Sequence, residues 1–407
     1  MTEEDAGDGK RVGWVELYFD LVFVFAVGQV AHGMAVEPHW SRVGAALGLF
    51  LTLWWTWIGF AVFYNRSGDD SRSADRLFVL VGTIPCAIAA TRAHSVFDGH
   101  PAIFAAALAA VRLILATAHL WGKSDQRRVG WGYAASTVLF AVSAVLPLPW
   151  VFVLWGFALF QEAGFLLLGD GRPRKRERPS RAARWRVLLT PPTDPNRAVD
   201  SAHLSERFGL FMILLLGELV ITTGTAALDR PSDDVGYWLT LVGGLVLAGA
   251  LWWVYFTSAA EIYERMLSFS RGNPLLAYSL YATGHLVPAF ALLLVAAGVN
   301  LSLQEPTPHT AAWFVTAGLT VYLLGTRAVA GGTRRWYVGL GRIAMLAGTV
   351  CLAFLGLVLP APAVVVVIAV WAVGIAAVAG SIRHRALDGL GDDPAEFLRR
   401  LPEERAS

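Results

Sequence analysis

Long uncharged runs constrain this chain before anything else does. A helix needs about 20 mostly apolar residues to cross the hydrocarbon core of a bilayer, and such runs recur throughout the 407-residue sequence. They stand near 14–33, 41–63, 76–96, 101–121, 129–148 and 150–169, then, after a polar gap, near 205–228, 236–258, 276–300, 310–328, 337–359 and 361–381. The pattern predicts an all-α polytopic membrane protein of about twelve transmembrane helices in a lipid bilayer. Composition agrees: 16% of the residues are charged, against about 25% in a soluble domain, and the mean hydropathy is +0.53.

Several classes drop out on the same grounds. A net charge of +2 gives no nucleic-acid binder. Cys86 and Cys351 lie in apolar runs and read as small buried hydrophobes, with neither disulfide nor metal spacing. No Walker P-loop is present, which argues against an ATP-driven pump, and no HExxH, CxxC or GxSxG motif is found. The opening MTEEDAGDGK lacks the basic start of a signal peptide, so the first apolar run is expected to persist as a helix.

Loop charge sets orientation, because Lys and Arg gather on the cytoplasmic side. Lys10 and Arg11 precede the first run, and alternate loops hold Arg66, Arg72 and Arg76, then Lys123, Arg127 and Arg128, then Arg265 and Arg271. The intervening loops, such as "QEPTP" and "LPAPA", are nearly free of Lys and Arg. Both termini are expected in the cytoplasm.

The chain also repeats itself. "FDLVFVFAVGQ" is answered by "FGLFMILLLGE", pairing Phe19 with Phe208 and Gly28 with Gly217 at a constant offset of 189 residues. "LWWTWIGFAVFYNR" from Leu53 is answered by "LWWVYFTSAAEIYER" from Leu251. Two six-helix halves with an even helix number would share one orientation, a parallel repeat. The expected division is a tail at 1–12, a first membrane half at 13–169, a basic cytoplasmic loop at 170–204 carrying "GRPRKRERPSRAARWR", a second half at 205–381 and a tail at 382–407.

A charge at mid-bilayer costs at least about 2.5–3.5 kcal/mol on insertion scales, so each one needs a partner or a watery cavity. Glu16 and Asp20 lie one helical turn apart on one face of the first run, with Gln29 deeper. Glu16 could sit in the headgroups, its charge suiting a helix N-terminus, and Gln29 could bond between helices. In the seventh run His203, Glu206 and Arg207 share a face, and Glu218 lies about three turns further along, too deep to reach the interface. Arg112, near the centre of the fourth run, could serve as a counter-ion. His285 stands just before Pro288 and could cap backbone groups the proline frees. Trp54, Trp55, Trp252 and Trp253 lie too deep for an interfacial belt and read as cavity walls or packing. Asn65, Asp69 and Asp70, after the second run, offer oxygen ligands suited to Mg²⁺; a helix cap in a solvated loop would look the same. No other cofactor is expected.

The stretches "ELYFDLVFVFAVGQVAH", "WWTWIGFAVFYNRSGDD", "SERFGLFMILLLGELV" and "GHLVP" stand in the order and spacing of the bacterial low temperature requirement A family, which the chain resembles most clearly over 13–300. The resemblance implies a multi-pass protein of the bacterial inner membrane, linked to cold growth or stress. It also implies that the family's polar positions fall on Glu16, Asp20, Asn65, Asp70, Glu206, Arg207, Glu218 and His285.

Three functions fit these residues. The leading expectation is a proton- or ion-coupled secondary transporter of an unidentified small molecule, with Asp20 and Glu218 taking up the proton or cation. Glu16, Gln29, the tryptophans, Arg112, Glu206, Arg207 and His285 would line its substrate path. The second is a membrane enzyme on a lipid-like or isoprenoid substrate, in which a buried carboxylic acid protonates an alkene or epoxide and aromatic walls steady the cation. The third is a stress protein without turnover. Convergence of Asp20, Glu218 and His285 on one cavity would favour the first two, and separate interfaces would weaken both.

Overall fold

The computed structural model describes residues 11–121, 126–168, 187–192, 198–228, 234–327, 336–390 and 393. The acidic start, most of the basic loop expected at 170–204 and nearly all of the last tail lie outside the described residues.

Helices fill the described chain. In the first half they are α1 (Trp14–Val36), α2 (Trp40–Ser67), α3 (Ser73–Phe97), α4 (Ala102–Trp121), α5 (Arg127–Ser143) and α6 (Leu148–Leu168). Then come α7 (Ser201–Leu228), α8 (Val235–Phe269), α9 (Pro274–Ser302), α10 (Thr310–Arg327), α11 (Trp336–Ala353) and α12 (Ala361–Leu390). Among the described residues, nine helices are long and apolar enough to cross a membrane, and two shorter apolar stretches, Thr310–Thr326 and Ile343–Leu357, accompany them. The helix at the fifth expected run, α5, has 17 residues and falls in neither group.

Local chemistry sets several helix starts. Glu16 reaches back to the Gly13 amide (3.1 Å) and closes the first turn of α1. Asp234 accepts from the Gly236 amide (2.9 Å) at the start of α8. Asn273 does the same for Leu275 (2.9 Å) at the start of α9, with Pro274 in the first helical position. Both α8 and α9 contain a π-helical turn, at Tyr255–Ala259 and Tyr278–Thr283. Leu77, Ile84, Leu113, Phe157, Phe160 and Val242 point outward, as the lipid-facing surface of a membrane protein requires.

The helices pack around α1 and α9. α1 touches α2, α3, α7 and α9, while α9 packs on α7 and most extensively on α10. Backbone approach makes the last contact close: a Cβ added at Gly318 of α10 would lie 2.8 Å from the Val295 amide nitrogen and 3.0 Å from the Ala291 carbonyl oxygen of α9. Small residues are what allow such approach in lipid, where no hydrophobic force drives helices together. Gly318→Leu is therefore expected to pry α9 from α10 and lower the melting midpoint of the detergent-solubilised protein, with Gly318→Ala milder. An unchanged midpoint for the leucine variant would refute the close packing.

α1 and α7 run parallel. Their contacts advance together, from Val12 with Glu206, through Glu16 and Asp20 with Arg207, to Gly28 with Glu218.

Candidate functional site

The first turns of α1 and α7 build a buried ion cluster. Arg207 binds the Glu16 carboxylate through one terminal nitrogen and Asp20 Oδ1 through the other (3.1 Å). Asp20 Oδ1 also accepts from the Trp57 indole N–H (2.6 Å), and Trp57 presents its ring to the Arg207 guanidinium at 5.7 Å. Glu16, Asp20, Trp57 and His203 are 0% exposed and Arg207 is 1%, so α1, α2 and α7 hold these charges without solvent.

A hydrogen-bond chain fixes the His203 tautomer. Asn65 Oδ1 accepts from the Asp200 amide (3.1 Å), so the Asn65 amide nitrogen is the group facing the Asp200 carbonyl (3.0 Å) and His203 Nδ1 (3.0 Å). His203 Nδ1 is then the acceptor, and its Nε2–H donates to Glu16 Oε2 at 2.9 Å. The imidazole in this arrangement is neutral, which leaves one guanidinium between two carboxyl groups. Two atoms of the cluster are buried without any hydrogen-bond partner, Asp20 Oδ2 and Arg207 Nε. Such vacant polar atoms are rare and costly in an interior.

An aromatic layer separates this cluster from His285. Trp57 packs on Phe208 (4.7 Å between centroids) and Phe211 (4.1 Å), and Phe208 in turn meets His285 and Tyr281, each at 5.0 Å. His285 Nδ1 donates to the Leu280 carbonyl (3.0 Å), so its Nε2 accepts from the Tyr255 hydroxyl (2.7 Å). The backbone group it caps thus lies in the π-helical turn of α9, not at the carbonyl freed by Pro288.

Glu218 stands apart from both. It lies against Gly28 of α1, half-buried, with Thr222 donating to its Oε1 (3.1 Å). Gly28 is two helical turns beyond Asp20, about 12 Å along the axis. Asp20, Glu218 and His285 therefore occupy three networks rather than one cavity. A further network joins Arg112 to Glu162 of α6 (3.2 Å) and to the Thr56 hydroxyl, with the guanidinium over the Phe140 ring at 4.5 Å.

The other expected residues scatter. Trp54 is buried and donates to the Ala282 carbonyl (2.7 Å), while Trp55 and Gln29 are half-buried. Trp252 and Trp253 are 42% and 50% exposed on the outer face of α8, away from the cluster. Glu206 is exposed and accepts from the Val12 amide (3.1 Å). Asn65 turns to His203, Asp70 to the Tyr64 hydroxyl, and Asp69 to the Ser71 amide (2.9 Å) and hydroxyl (2.7 Å). Among the described residues no group of three or more His, Cys, Asp or Glu side chains could hold a metal. Glu162, Trp57 and Asp200 are missing from the sequence-based set. Glu162 satisfies the same criterion as Glu218, an acid inside an apolar run; nothing local distinguishes Trp57 from its neighbours.

Apolar helices presenting hydrocarbon outward and closing around buried ion pairs define a polytopic helical membrane protein. The family described as bacterial low temperature requirement A protein (LtrA) matches residues 11–379, and the chain belongs to that family. It is also similar to a Rhizobium meliloti (strain 1021) protein called "Uncharacterized protein RA0937", 25% identical over 309 residues that cover 74% of this chain and 71% of the relative. No solved structure matches the chain.

Proposed function

We propose that the protein is a proton- or ion-coupled secondary transporter of the cytoplasmic membrane, built from two parallel six-helix halves with both termini inside. The observation that carries this reading is Asp20. Its carboxyl group is buried between α1, α2 and α7, with one oxygen held by Arg207 and Trp57 and the other without a partner. A carboxyl with a vacant oxygen beside a single shared guanidinium is a natural acceptor for a proton or small cation.

The location supports the same reading, because parallel-repeat transporters keep their sites where the halves meet. The cross-helix hydrogen bonds between the starts of α1 and α7 join residues 187–194 apart in sequence, which brackets the repeat offset of 189. Repeat-related helices thus touch near equivalent positions, as they do beside an axis along the membrane normal. α1 packs on α3 and α3 on α4; α7 likewise packs on α9 and α9 on α10. Glu218, against Gly28 on the same helix pair, is the second proton- or cation-binding candidate.

In proteoliposomes loaded with a pH-sensitive dye, the wild type is expected to acidify or alkalinise the lumen on addition of a transported solute. Asp20→Asn, which keeps an oxygen for Trp57, should abolish the pH change by at least about tenfold, and Glu218→Gln should weaken it. Wild-type proton flux in folded Asp20→Asn would overturn the role of Asp20. Uptake insensitive to both pH and ion gradients would overturn coupling itself.

A further inference from the structure

A cavity of about 280 Å³ opens between α7 and α8, beside the tip of the α9 π-helical turn. Its polar and aromatic lining is Ser205, Glu206, Tyr255, Phe256, Glu264 and Tyr281; the rest is small or aliphatic. Among the described residues two carboxylates face it and no Lys, Arg or His does. The volume, about 280 Å³, falls just below the usual range for small-molecule sites, about 300–1,000 Å³, which suits a compact headgroup rather than a whole lipid.

The two tyrosines are held from behind. His285 accepts from the Tyr255 hydroxyl (2.7 Å) and stacks on Tyr281 at 5.2 Å with 8° between planes. The Tyr281 phenol shares a hydrogen bond with Ser205 of α7. Both rings belong to π-helical turns, and π-helical turns inside α-helices are often found at functional sites. The repeat points the same way. Leu53 answers Leu251, an offset of 198, yet Tyr64 answers Tyr263, an offset of 199, so the second half carries one extra residue in this stretch. The π-helical turn Tyr255–Ala259 lies between those matches and accommodates it. The first half has an uninterrupted helix at the corresponding place, with Trp57 where the second half has Tyr255, so the π-helical turn is particular to the second half.

An aromatic lining with carboxylates and, among the described residues, no opposing cation is the chemistry that recognises an organic ammonium ion. We propose that this cavity binds a compact organic cation of the alkylammonium class, seated against Phe256, with the buried Tyr255 and Tyr281 behind it, and neutralised by Glu206 and Glu264. An anion would meet two carboxylates and be rejected. α7 is the shared wall: Ser205 and Glu206 face the cavity, while His203 and Arg207 face the Asp20 cluster. That the cation is cargo rests on the transporter reading; that it binds does not.

The test titrates purified protein in nanodiscs with choline and with 3,3-dimethylbutan-1-ol, its uncharged carbon isostere, by calorimetry. Choline is expected to bind saturably and the isostere at least about tenfold more weakly. Glu264→Gln, an exposed position, and Phe256→Leu should each weaken choline binding by about threefold to tenfold without shifting the melting midpoint. Equal binding of the two probes, wild-type affinity in both variants, or no saturable choline binding would overturn the proposal. Choline binding without any coupled flux would overturn the transporter reading and leave the site standing. Coupled flux of another solute by a protein that does not bind choline would do the reverse.

Discussion

Arg207→Met is expected to lose more stability than any other single substitution in the α1–α7 interface. Among the described residues Arg207 is the one guanidinium that touches both of these carboxyl groups, from which solvent is excluded. Removing one partner of a buried ion pair costs about 3–5 kcal/mol, because the remaining charge has neither water nor a counter-ion. Here two carboxyl groups would be stranded. The measurable result is loss of the monodisperse peak after solubilisation, or a large drop in melting midpoint where the protein survives. Arg207→Lys should lie between, since an ammonium keeps the charge but lacks the planar fork that spans two carboxylates. Adding Asp20→Asn to Arg207→Met removes one stranded charge and should recover part of the loss. A stable Arg207→Met protein with wild-type melting would show that the cluster does not clamp the two helices.

The same physics explains which parts of the site could be read from sequence. Lipid makes every intramembrane charge conspicuous, so Glu16, Asp20, Arg207 and Arg112 declare themselves as residues that must have partners. The proposed repeat relates α1 to α7, and residues 187–194 apart in sequence meet along their contact. Partner identity is another matter. Arg112 meets Glu162 across 50 residues of chain, and no local pattern joins them. Rotation about the helix axis is also hidden. A membrane helix is apolar all round, so nothing local says that Trp57 faces Asp20 while Trp252 and Trp253 face outward; the packing of α1, α7 and α12 around them decides it. On the proposed repeat, the π-helical turn in α8 corresponds to the one-residue slip between the Leu251 and Tyr263 matches, which is meaningful only once the turn is seen. His285 shows a mixed outcome. Its expected duty of capping a backbone carbonyl is present, but the carbonyl is that of Leu280.

The Arg112–Glu162 pair separates structural from functional charge. Both side chains are buried, one guanidinium nitrogen and one carboxylate oxygen have no partner, and Thr56 and the Phe140 ring complete the surroundings of the guanidinium. Glu162→Leu strands Arg112 and is expected to cost about 3–5 kcal/mol, and Arg112→Met strands Glu162 with a similar penalty. The double variant behaves differently if the pair only joins α4 to α6. Replacing a whole buried ion pair by apolar groups of similar volume is often neutral or stabilising by about 1–4 kcal/mol, so Arg112→Met/Glu162→Leu should melt at or above the wild-type midpoint. Flux measured in that double variant then assigns the pair. Retained coupled uptake makes Arg112 and Glu162 a structural tie and leaves Asp20 and Glu218 as the coupling acids. Lost uptake in a protein that melts like the wild type makes Glu162 a third acid of the coupling path, and its vacant oxygen the counterpart of Asp20 Oδ2. A double variant as unstable as either single one would refute the pairing altogether.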